Sequence, residues 1–299
     1  MDEYQIGEAI RSLRKMSGLS QKDLSEEICT QAQISKIENN NEIPSAIILY
    51  KIAKRLGVDM NYFFDVVETP RLDYVNEVKE MIKNLKRERN YKKILEIIKS
   101  EKRNPLFQTK ENQQFFLWHE AICIHYIENR PETAVDLLDY AFSLTNSHNK
   151  KYYLESEIEI LNSIAIIQKD IHLYKESEKN FREGLKLLKY IPQVKDKLIE
   201  IRLIYGLSKI LTDTKRYEES MNYCKKGIKK CKKQETLYLL GELHYQYGSN
   251  CARLGKEKKA EEFFEKAIQI FEIQENYVYI DLVNTYKKRL LSYELSENL

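Results

Sequence analysis

The sequence is poor in the residues that interrupt regular structure, with nine glycines and five prolines among 299 residues. It has no apolar run approaching the roughly 18 residues that cross a bilayer, and its N-terminus lacks the basic and apolar regions of a signal peptide. Its five cysteines are odd in number and scattered, which suits reduced thiols rather than a disulfide framework. We therefore expect a cytoplasmic protein that makes no contact with membranes.

Sequence motifs that carry catalysis are missing as well. The chain has no GxxxxGK(S/T) phosphate loop, no HExxH, no GxSxG and no paired CxxC. Its five histidines lie apart in sequence, and His119 and His125 are six residues apart, which is not same-face helical spacing for a shared metal. Its acidic residues are spread as they are on solvated helix faces. We expect no catalytic residues, no metal site and no cofactor.

The charge balance does not indicate nucleic acid, because the formal net charge is only +3. Residues 1–66 contain eight Lys and Arg against ten Asp and Glu, a net charge of −2, which weakens non-specific DNA binding by one copy of this segment. Residues 71–103 contain eleven against six, a net charge of +5. That positive charge could face DNA, an acidic ligand or solvent.

Glu, Lys, Leu and Ile are abundant and favour long helices, so we expect an all-α protein. Near the N-terminus, Ser20 is placed to cap a helix whose apolar face includes Leu24 and Ile28. A second apolar stripe at helical spacing begins almost at once, with Ile34 and Ile37. Two short helices joined by so tight a turn form a helix-turn-helix, whose second helix can enter the major groove of DNA.

The second helix, residues 30–39, has a polar face that suits base recognition. Glutamine can bond adenine through two hydrogen bonds, and lysine can reach guanine or a phosphate. The candidate DNA-binding residues on this helix are Thr30, Gln31, Gln33, Ser35, Lys36 and Asn39. Flanking helices are expected to close a small core with Ile10, Leu13, Ile47, Ile52 and Leu56. The alternative is a surface helix of an all-helical bundle.

Residues 1–66 resemble the Cro/C1-type (XRE) DNA-binding domain. The resemblance is carried by Ile6-Gly7, Arg14, Gly18-Leu-Ser-Gln21, Ile34-Ser-Lys-Ile-Glu38 and Pro44-Ser45. It implies that Arg14 pairs with Glu38 in a structural role. It also implies that Gln21 makes a contact with the DNA backbone, and that base and phosphate contacts are made by Thr30, Gln31, Gln33 and Lys36.

A pattern with a period of about 40 residues follows. The turns between amphipathic helix pairs are marked by Tyr91, Pro131, Tyr174, Tyr217 and Glu257, which lie 40, 43, 43 and 40 residues apart. Ten residues after four of these anchors come the small residues Ala141, Gly184, Gly227 and Ala267, whereas Glu101 stands there in the first repeat. Small residues let paired helices approach closely, so stacked units are expected to form a right-handed superhelix with a concave face.

These repeats resemble tetratricopeptide repeats, most clearly at Tyr247-Gly248, Leu254-Gly255, Ala260, Phe264 and Ala267. The predicted domains are a helix-turn-helix domain over 1–66, a linker over 67–72 and five repeats with a C-terminal capping helix over 73–299. Pro70 sets the boundary because it disfavours helix at the residue before it. The whole layout, together with Ile28-Cys-Thr-Gln-Ala-Gln-Ile34, resembles the PlcR/Rgg-type (RRNPP) peptide-responsive transcription regulators.

The concave face is the candidate ligand site, because first helices of such repeats line it. Its inward polar positions, read from the repeat spacing, are Lys83, Arg87, Asn162, Tyr205, Lys209 and Tyr245. Such groups suit an extended peptide. The resemblance implies a short signalling peptide and places Arg87, Arg89 and Asn162 at its site. For each residue the alternative is plain solvent exposure or, for the tyrosines, packing between helices.

We therefore expect a DNA-binding transcription regulator that binds a palindromic operator as a homodimer, with its repeat domain responding to a signalling peptide in quorum sensing. The peptide is expected to alter the spacing of the DNA-binding heads. Two other functions are consistent with the sequence. One is a peptide-independent repressor whose repeats only dimerise, and the other is a repeat protein that grips a protein partner and no longer binds DNA.

Overall fold

The structure, a computed structural model, describes the backbone of residues 6–68, 71–145 and 153–297. Those residues form sixteen α-helices and no β-strand, which confirms the expected all-α class. None of the described helices is long and apolar enough to cross a membrane. By its internal packing the chain divides into two compact units, Met1–Thr109 and Lys110–Leu299.

The α-helices of the first unit are followed by a 3-10 turn at Pro105–Phe107. Within the described residues they are α1 Ile6–Met16, α2 Gln21–Ser25, α3 Gln31–Glu38, α4 Ala46–Leu56, α5 Asn61–Glu68, α6 Leu72–Arg87 and α7 Tyr91–Glu101. The helices of the second unit are α8 Lys110–Cys123, α9 Pro131–Thr145, α10 Glu155–Asp170, α11 Tyr174–Leu187, α12 Ile199–Asp213, α13 Tyr217–Lys233, α14 Leu240–Arg253, α15 Glu257–Ile273 and α16 Tyr277–Glu297.

Helices α1 to α5 form the head, a bundle around one apolar core. Ile10, Ile34, Ile52 and Phe63 are fully buried in that core. Ile47, predicted to join them, is 71% exposed, so that prediction was wrong. Position 47 lies on the opposite face of α4 from the buried positions, because two residues along a helix turn the side chain by about 200°.

The first predicted repeat is the pair of helices α6 and α7, which pack against each other. Glu101 occupies the position where other repeats have a small residue, and its Oε2 accepts a hydrogen bond from Asn104 Nδ2 at 2.7 Å. A hydrogen bond to Glu101 also raises the pKa of the Tyr74 hydroxyl. A carboxylate is therefore tolerated there because it is hydrogen-bonded rather than packed. The linker predicted at 67–72 stays a prediction, since residues 69 and 70 lie outside the described residues.

The second unit is a stack of antiparallel helix pairs: α8 with α9, α10 with α11, α12 with α13, and α14 with α15. The predicted repeat period is confirmed, because in each helix pair, including α6 with α7 of the first unit, the second helix begins at the anchor residue. The anchors are Tyr91, Pro131, Tyr174, Tyr217 and Glu257. The first helices α8, α10, α12 and α14 contact one another in sequence, and they form one layer. Helix α16 packs on α15 in the capping position that the sequence predicts.

Glycines at the helix crossings set how closely neighbouring helices approach. A Cβ at Gly184 of α11 would lie 2.9 Å from Leu203 Cδ2 of α12, and a Cβ at Gly206 of α12 would lie 2.3 Å from Phe181 Cε1 of α11. Both distances are far below van der Waals contact, so side chains fill the space that the glycines leave open. The small residues of the sequence pattern therefore allow the close packing of neighbouring helices in the stack.

We expect Gly206→Ala to destabilise the second unit by about 1–3 kcal/mol, because the added methyl overlaps the buried ring of Phe181. Helix propensity alone acts in the opposite direction, since alanine is favoured over glycine by about 1 kcal/mol. Calorimetric unfolding of the full chain measures the sum. Phe181→Leu supplies the matched background, in which Gly206→Ala should cost less. A raised unfolding temperature for Gly206→Ala alone would contradict the close-approach argument.

Candidate functional site

The predicted recognition helix is α3, and both of its ends are fixed by side chains. Thr30 caps its N-terminus, with Oγ1 accepting a hydrogen bond from the backbone N–H of Gln33 at 3.2 Å. At the other end, Nδ2 of Asn39 donates to the backbone carbonyl of Ser35 at 2.9 Å. The preceding helix α2 ends at Ser25, so Ile28 lies half-buried in the turn. The expectation that Ile28 continues the apolar face of this helix was therefore wrong.

The outer face of α3 carries most of the predicted DNA-binding residues. Gln31 and Lys36 are exposed, as are both end residues, whereas Ser35 is half-buried. Gln33 is also half-buried, and its Nε2 donates to Glu42 Oε1 at 2.6 Å. Glu42 was missed in the sequence, because a separation of nine residues is not a spacing that predicts a contact with Gln33.

A buried ion pair holds α3 against α1. Arg14 Nε donates to Glu38 Oε1 at 2.5 Å and its Nη2 donates to Glu38 Oε2 at 2.9 Å, a two-pronged geometry. The side chains are 10% and 1% exposed. The pairing that the XRE resemblance implies is thereby confirmed. Gln21 joins the same cluster, since its Nε2 donates to Glu38 Oε2 at 2.9 Å.

The Glu38 carboxylate is charged at neutral pH in spite of its burial. Burial alone would raise its pKa, but hydrogen bonds from Arg14 and Gln21 and the charge of Arg14 lower the pKa below its ordinary value of 4.5. The same hydrogen bond raises the pKa of the Arg14 guanidinium. The pair is therefore fully ionised at neutral pH.

A second contact between α1 and the end of α3 was missed in the sequence. The backbone N–H of Gly7 donates to Asn40 Oδ1 at 3.1 Å. A Cβ at Gly7 would lie 1.9 Å from the carbonyl oxygen of Ile37, so only glycine allows α1 to approach the C-terminus of α3. The glycine inside a helical pattern was the available signal for this close contact.

In the first unit, the predicted peptide-binding residues lie at the end of α6 and in the turn after it. Lys83 Nζ lies 2.6 Å from Glu80 Oε1, and Arg87 Nη1 donates to Asn84 Oδ1 at 3.1 Å. Arg89 is exposed and has a φ of +57°, which places it in the left-handed turn that leads to α7. These three cations therefore lie on one short stretch of chain and interact only with local partners among the described contacts.

In the second unit, the predicted residues lie on the layer of first helices. Asn162 of α10 is 5% exposed, and its buried Oδ1 has no hydrogen-bond partner. Lys209 Nζ lies 5.6 Å from the ring centroid of Tyr205 on α12. Burial raises the pKa of Tyr205, with Tyr245 among the neighbouring groups. Tyr245 also packs its ring 6.1 Å from that of Tyr286, so the tyrosines belong in part to packing between helices.

A polar cluster on the same layer was missed from the sequence. Arg202 of α12 forms ion pairs with Glu159 of α10 and with Asp196. On α14, burial raises the pKa of Glu242, and its Oε2 is buried without a hydrogen-bond partner. Arg202 is three residues before Tyr205, on the same helix face, and this spacing was the signal that could have found it. The layer thus contains several polar atoms whose hydrogen bonding is incomplete.

Metal binding has no support in the described parts of the chain, where no group of three His, Cys, Asp or Glu side chains could hold an ion. The buried thiols are unreactive in character as well. Burial raises the pKa of Cys224 to about 12, which leaves little thiolate at neutral pH.

Comparison with known proteins finds a matching family model for each of the two regions of the chain. A model of the RNPP family C-terminal domain matches residues 79–292, and a helix-turn-helix domain model matches residues 7–68. A search of curated proteins found no match.

Solved structures resemble nearly the whole chain. PlcR of Bacillus thuringiensis, in complex with the peptide PapR7 and DNA, is 26% identical and covers 94% of this chain and 99% of its own, with a TM-score of 0.85. ComR from S. thermophilus, in complex with DNA and its signalling peptide ComS, is 17% identical, with coverage of 95% and 99% and a TM-score of 0.64. The SHP pheromone receptor Rgg2 of Streptococcus dysgalactiae is 16% identical, with coverage of 96% and 99% and a TM-score of 0.62. The last two likenesses show the fold alone.

The Arg14–Glu38 pair predicts how the stability of the head depends on pH. Because the pKa of Glu38 is lowered on folding, the pair contributes fully above pH 4.5 and its contribution is lost as the pH falls through the lower folded-state value. Glu38→Gln should destabilise α3 by about 3–5 kcal/mol at neutral pH, because it leaves a buried cation uncompensated. The variant should also lose less stability than the wild type on acidification.

Hydrogen exchange of the α3 amides in the full chain, corrected for intrinsic rates, measures this local stability at each pH. Glu42→Gln is the matched control, since it removes a carboxylate that hydrogen-bonds the neutral amide of Gln33 and forms no ion pair among the described contacts. The control should keep the acid dependence of the wild type. An unchanged acid dependence in Glu38→Gln would show that the ion pair is not its source.

Proposed function

Because this chain belongs to the RNPP family of peptide-responsive helix-turn-helix transcription regulators, we propose that its head reads a palindromic operator while its repeats bind a short signalling peptide. The proteins of this family are DNA-binding transcription factors and not enzymes, which agrees with the lack of catalytic motifs. The observation that carries the proposal is the outer face of α3, which leaves Gln31 and Lys36 exposed on a helix fixed by the Arg14–Glu38 pair.

The chemistry of that face supports recognition of bases. Gln31 can bond an adenine through two hydrogen bonds, and Lys36 can reach a guanine or a phosphate. Gln33 already donates one of its two amide N–H bonds to Glu42, so a base contact that moves its side chain gives up that hydrogen bond and contributes less. Contacts with the DNA backbone are proposed for Thr30, Ser35 and Asn39, and for Gln21 at the N-terminus of α2.

Homodimer formation is the second element of the proposal. One head carries a net charge of −2 and reads one half-site, so two heads spaced by a helical turn of DNA are needed for affinity and specificity. The end of the second unit offers a surface for a second copy. Apolar side chains are exposed there at Ile273, Tyr277, Val278 and Leu282, with Val278 77% exposed. Contiguous exposed apolar groups are typical of interaction sites.

Peptide binding to the first-helix layer is the third element. The complexes of PlcR with PapR7 and of ComR with ComS support a peptide as the ligand of this fold. The buried, unpartnered Oδ1 of Asn162 can accept a hydrogen bond from a peptide N–H, and such an unmade bond is costly while the site is empty. Tyr205, Lys209 and Tyr245 lie on the same layer. In the first unit, the cations Lys83, Arg87 and Arg89 are proposed to attract acidic groups of the peptide, with Lys83 and Arg87 exchanging their local partners Glu80 and Asn84.

The two activities are joined if the peptide alters the spacing of the heads. A stack of repeats deforms by small rotations between neighbours that add along the array. Head separation must match one turn of DNA, so a small change in the stack changes operator affinity. The coupling is then reciprocal, and operator DNA changes peptide affinity by the same factor as peptide changes operator affinity.

We expect Gln31→Ala to weaken binding to an operator selected from random duplexes by about 1–3 kcal/mol and to relax discrimination at one base pair of each half-site. Lys36→Ala should weaken binding as well, either at one base or uniformly across sequences. Mobility shifts at one fixed salt concentration measure both effects. Lys54→Ala, which removes an exposed charge from α4, is the matched control.

Val278→Asp separates dimer formation from base reading in the same assay. It should lower affinity for the full operator while leaving the affinity for an isolated half-site unchanged. Unaltered operator affinity in the Gln31 and Lys36 double variant would disprove the role of α3. Unaltered full-operator affinity in Val278→Asp would disprove only the placement of the dimer contact.

Coupling is tested by measuring peptide affinity in three states: with the full operator, with a half-site and without DNA. The ligand is the active peptide fraction of spent culture medium, titrated calorimetrically into the full chain. Only the full operator should change peptide affinity, by roughly 5- to 150-fold, the range of typical couplings. Asn162→Ala should weaken peptide binding in all three states. Equal wild-type affinities in all three would refute the spacing mechanism but leave peptide binding intact.

A further inference from the structure

A cavity of about 470 Å³ lies in the second unit between α11, α12 and α13, apart from every residue assigned above to peptide or DNA. Its floor is apolar, and Leu188, Val194, Ile204 and Tyr223 line it. Its volume falls within the range of small-molecule sites, which are mostly apolar with a few placed polar groups. The function proposed above uses none of these residues.

Cations dominate the rim of this cavity. Four lysines line it, Lys189, Lys197, Lys226 and Lys230, against one carboxylate, Glu200. Glu200 Oε2 lies 2.5 Å from Lys230 Nζ, so the single negative charge is already paired. The Nζ of Lys226 lies 4.7 Å from the ring centroid of Tyr223, which places a positive charge directly over the apolar floor.

Gln234 adds a neutral polar group at the same edge. Its Nε2 donates to the backbone carbonyl of Lys197 at 3.0 Å, while its buried Oε1 has no hydrogen-bond partner. A second cavity, of about 510 Å³, is lined by Lys197, Lys230 and Gln234 as well, together with Lys233 and one carboxylate, Glu235. Lysines of α13 and of the segment before α12 therefore line two adjacent openings that share Lys197, Lys230 and Gln234.

We propose that this pocket binds a small amphipathic anion, whose apolar part lies on the floor and whose carboxylate or phosphate lies among the rim lysines. An inorganic anion would leave the apolar floor exposed to water. A neutral apolar ligand would leave the positive charge of the lysines uncompensated. A ligand with both parts satisfies both surfaces. The Gly255–Lys259 cluster at another turn shows the contrast, because its lining residues are Gly255, Lys256, Glu257, Lys258 and Lys259 and include no large apolar side chain.

Calorimetric titration of the full chain below the micellar concentration tests the proposal. Decanoate and decyl phosphate are the two anionic probes, and they distinguish a carboxylate site from a phosphate site. Decyltrimethylammonium supplies the same tail with the opposite charge, and inorganic phosphate supplies the head without a tail. At least one anionic probe should bind saturably with one site per chain, and both control probes should bind at least about tenfold more weakly.

The double variant Lys189→Glu, Lys226→Glu should weaken the anionic probe by about tenfold or more, because two attractive charges become repulsive. Its matched control is Lys258→Glu, Lys259→Glu, which changes the net charge equally at the cluster without an apolar floor and should leave binding unchanged. Leu188→Gln should weaken binding through the tail alone. Equal effects of the two double variants, equal affinity for the cationic probe, or no saturable binding by either anion would overturn the proposal.

Discussion

Close helix approach at small residues is the constraint on which the repeat region depends. Gly184 and Gly206 each face a large side chain of the neighbouring helix, and neither position has room for a methyl group. Because a large side chain of one helix fills the space over a glycine of the next, each helix pair is held in one orientation relative to the next. The layer of first helices, with every polar group on it, follows from that spacing.

The same tight packing explains why polar groups accumulate on the first-helix layer. Apolar side chains fill the crossings, so the positions between them must be polar or lie against solvent. Arg202 satisfies part of its hydrogen bonding through Glu159 and Asp196, whereas Asn162 Oδ1 and Glu242 Oε2 remain without a partner. Buried polar atoms are nearly always satisfied in folded proteins, so such atoms on one layer favour a ligand that completes them.

The features that were predicted correctly are those that depend on residues close together in the sequence. The five helix starts, the Ser20 cap and the buried stripe of α3 each depend on residues a few positions apart. Contacts between distant segments were not predictable in this way. The Gly7–Asn40 hydrogen bond spans 33 positions, and the ion pair of Arg202 with Glu159 spans 43. The exception is Arg14 with Glu38, which came from the family resemblance and not from spacing.

The length of α2 shows why even a local pattern can mislead. Leu24 and Ile28 are four residues apart, which suits one continuous helix face. In the structure the helix ends at Ser25, and Glu27 adopts a φ of +55° in the turn. Ile28 is still half-buried, because the turn carries it toward the same core. Burial was therefore predicted correctly, while the backbone that achieves it was not.

The contact between Gln33 and Glu42 bears on how the head distinguishes DNA sequences. A hydrogen bond to a base gains little when it replaces one that the protein already makes, so a base contact that costs Gln33 its bond to Glu42 contributes only the difference between the two bonds. Gln31 is exposed, so a hydrogen bond from its side chain to a base replaces only a hydrogen bond to water. Moving Gln33 also leaves the Glu42 carboxylate close to a polyanion, a cost that applies to every sequence. If the head binds DNA as proposed, discrimination therefore depends more on Gln31 than on Gln33, although the two residues are alike in the sequence.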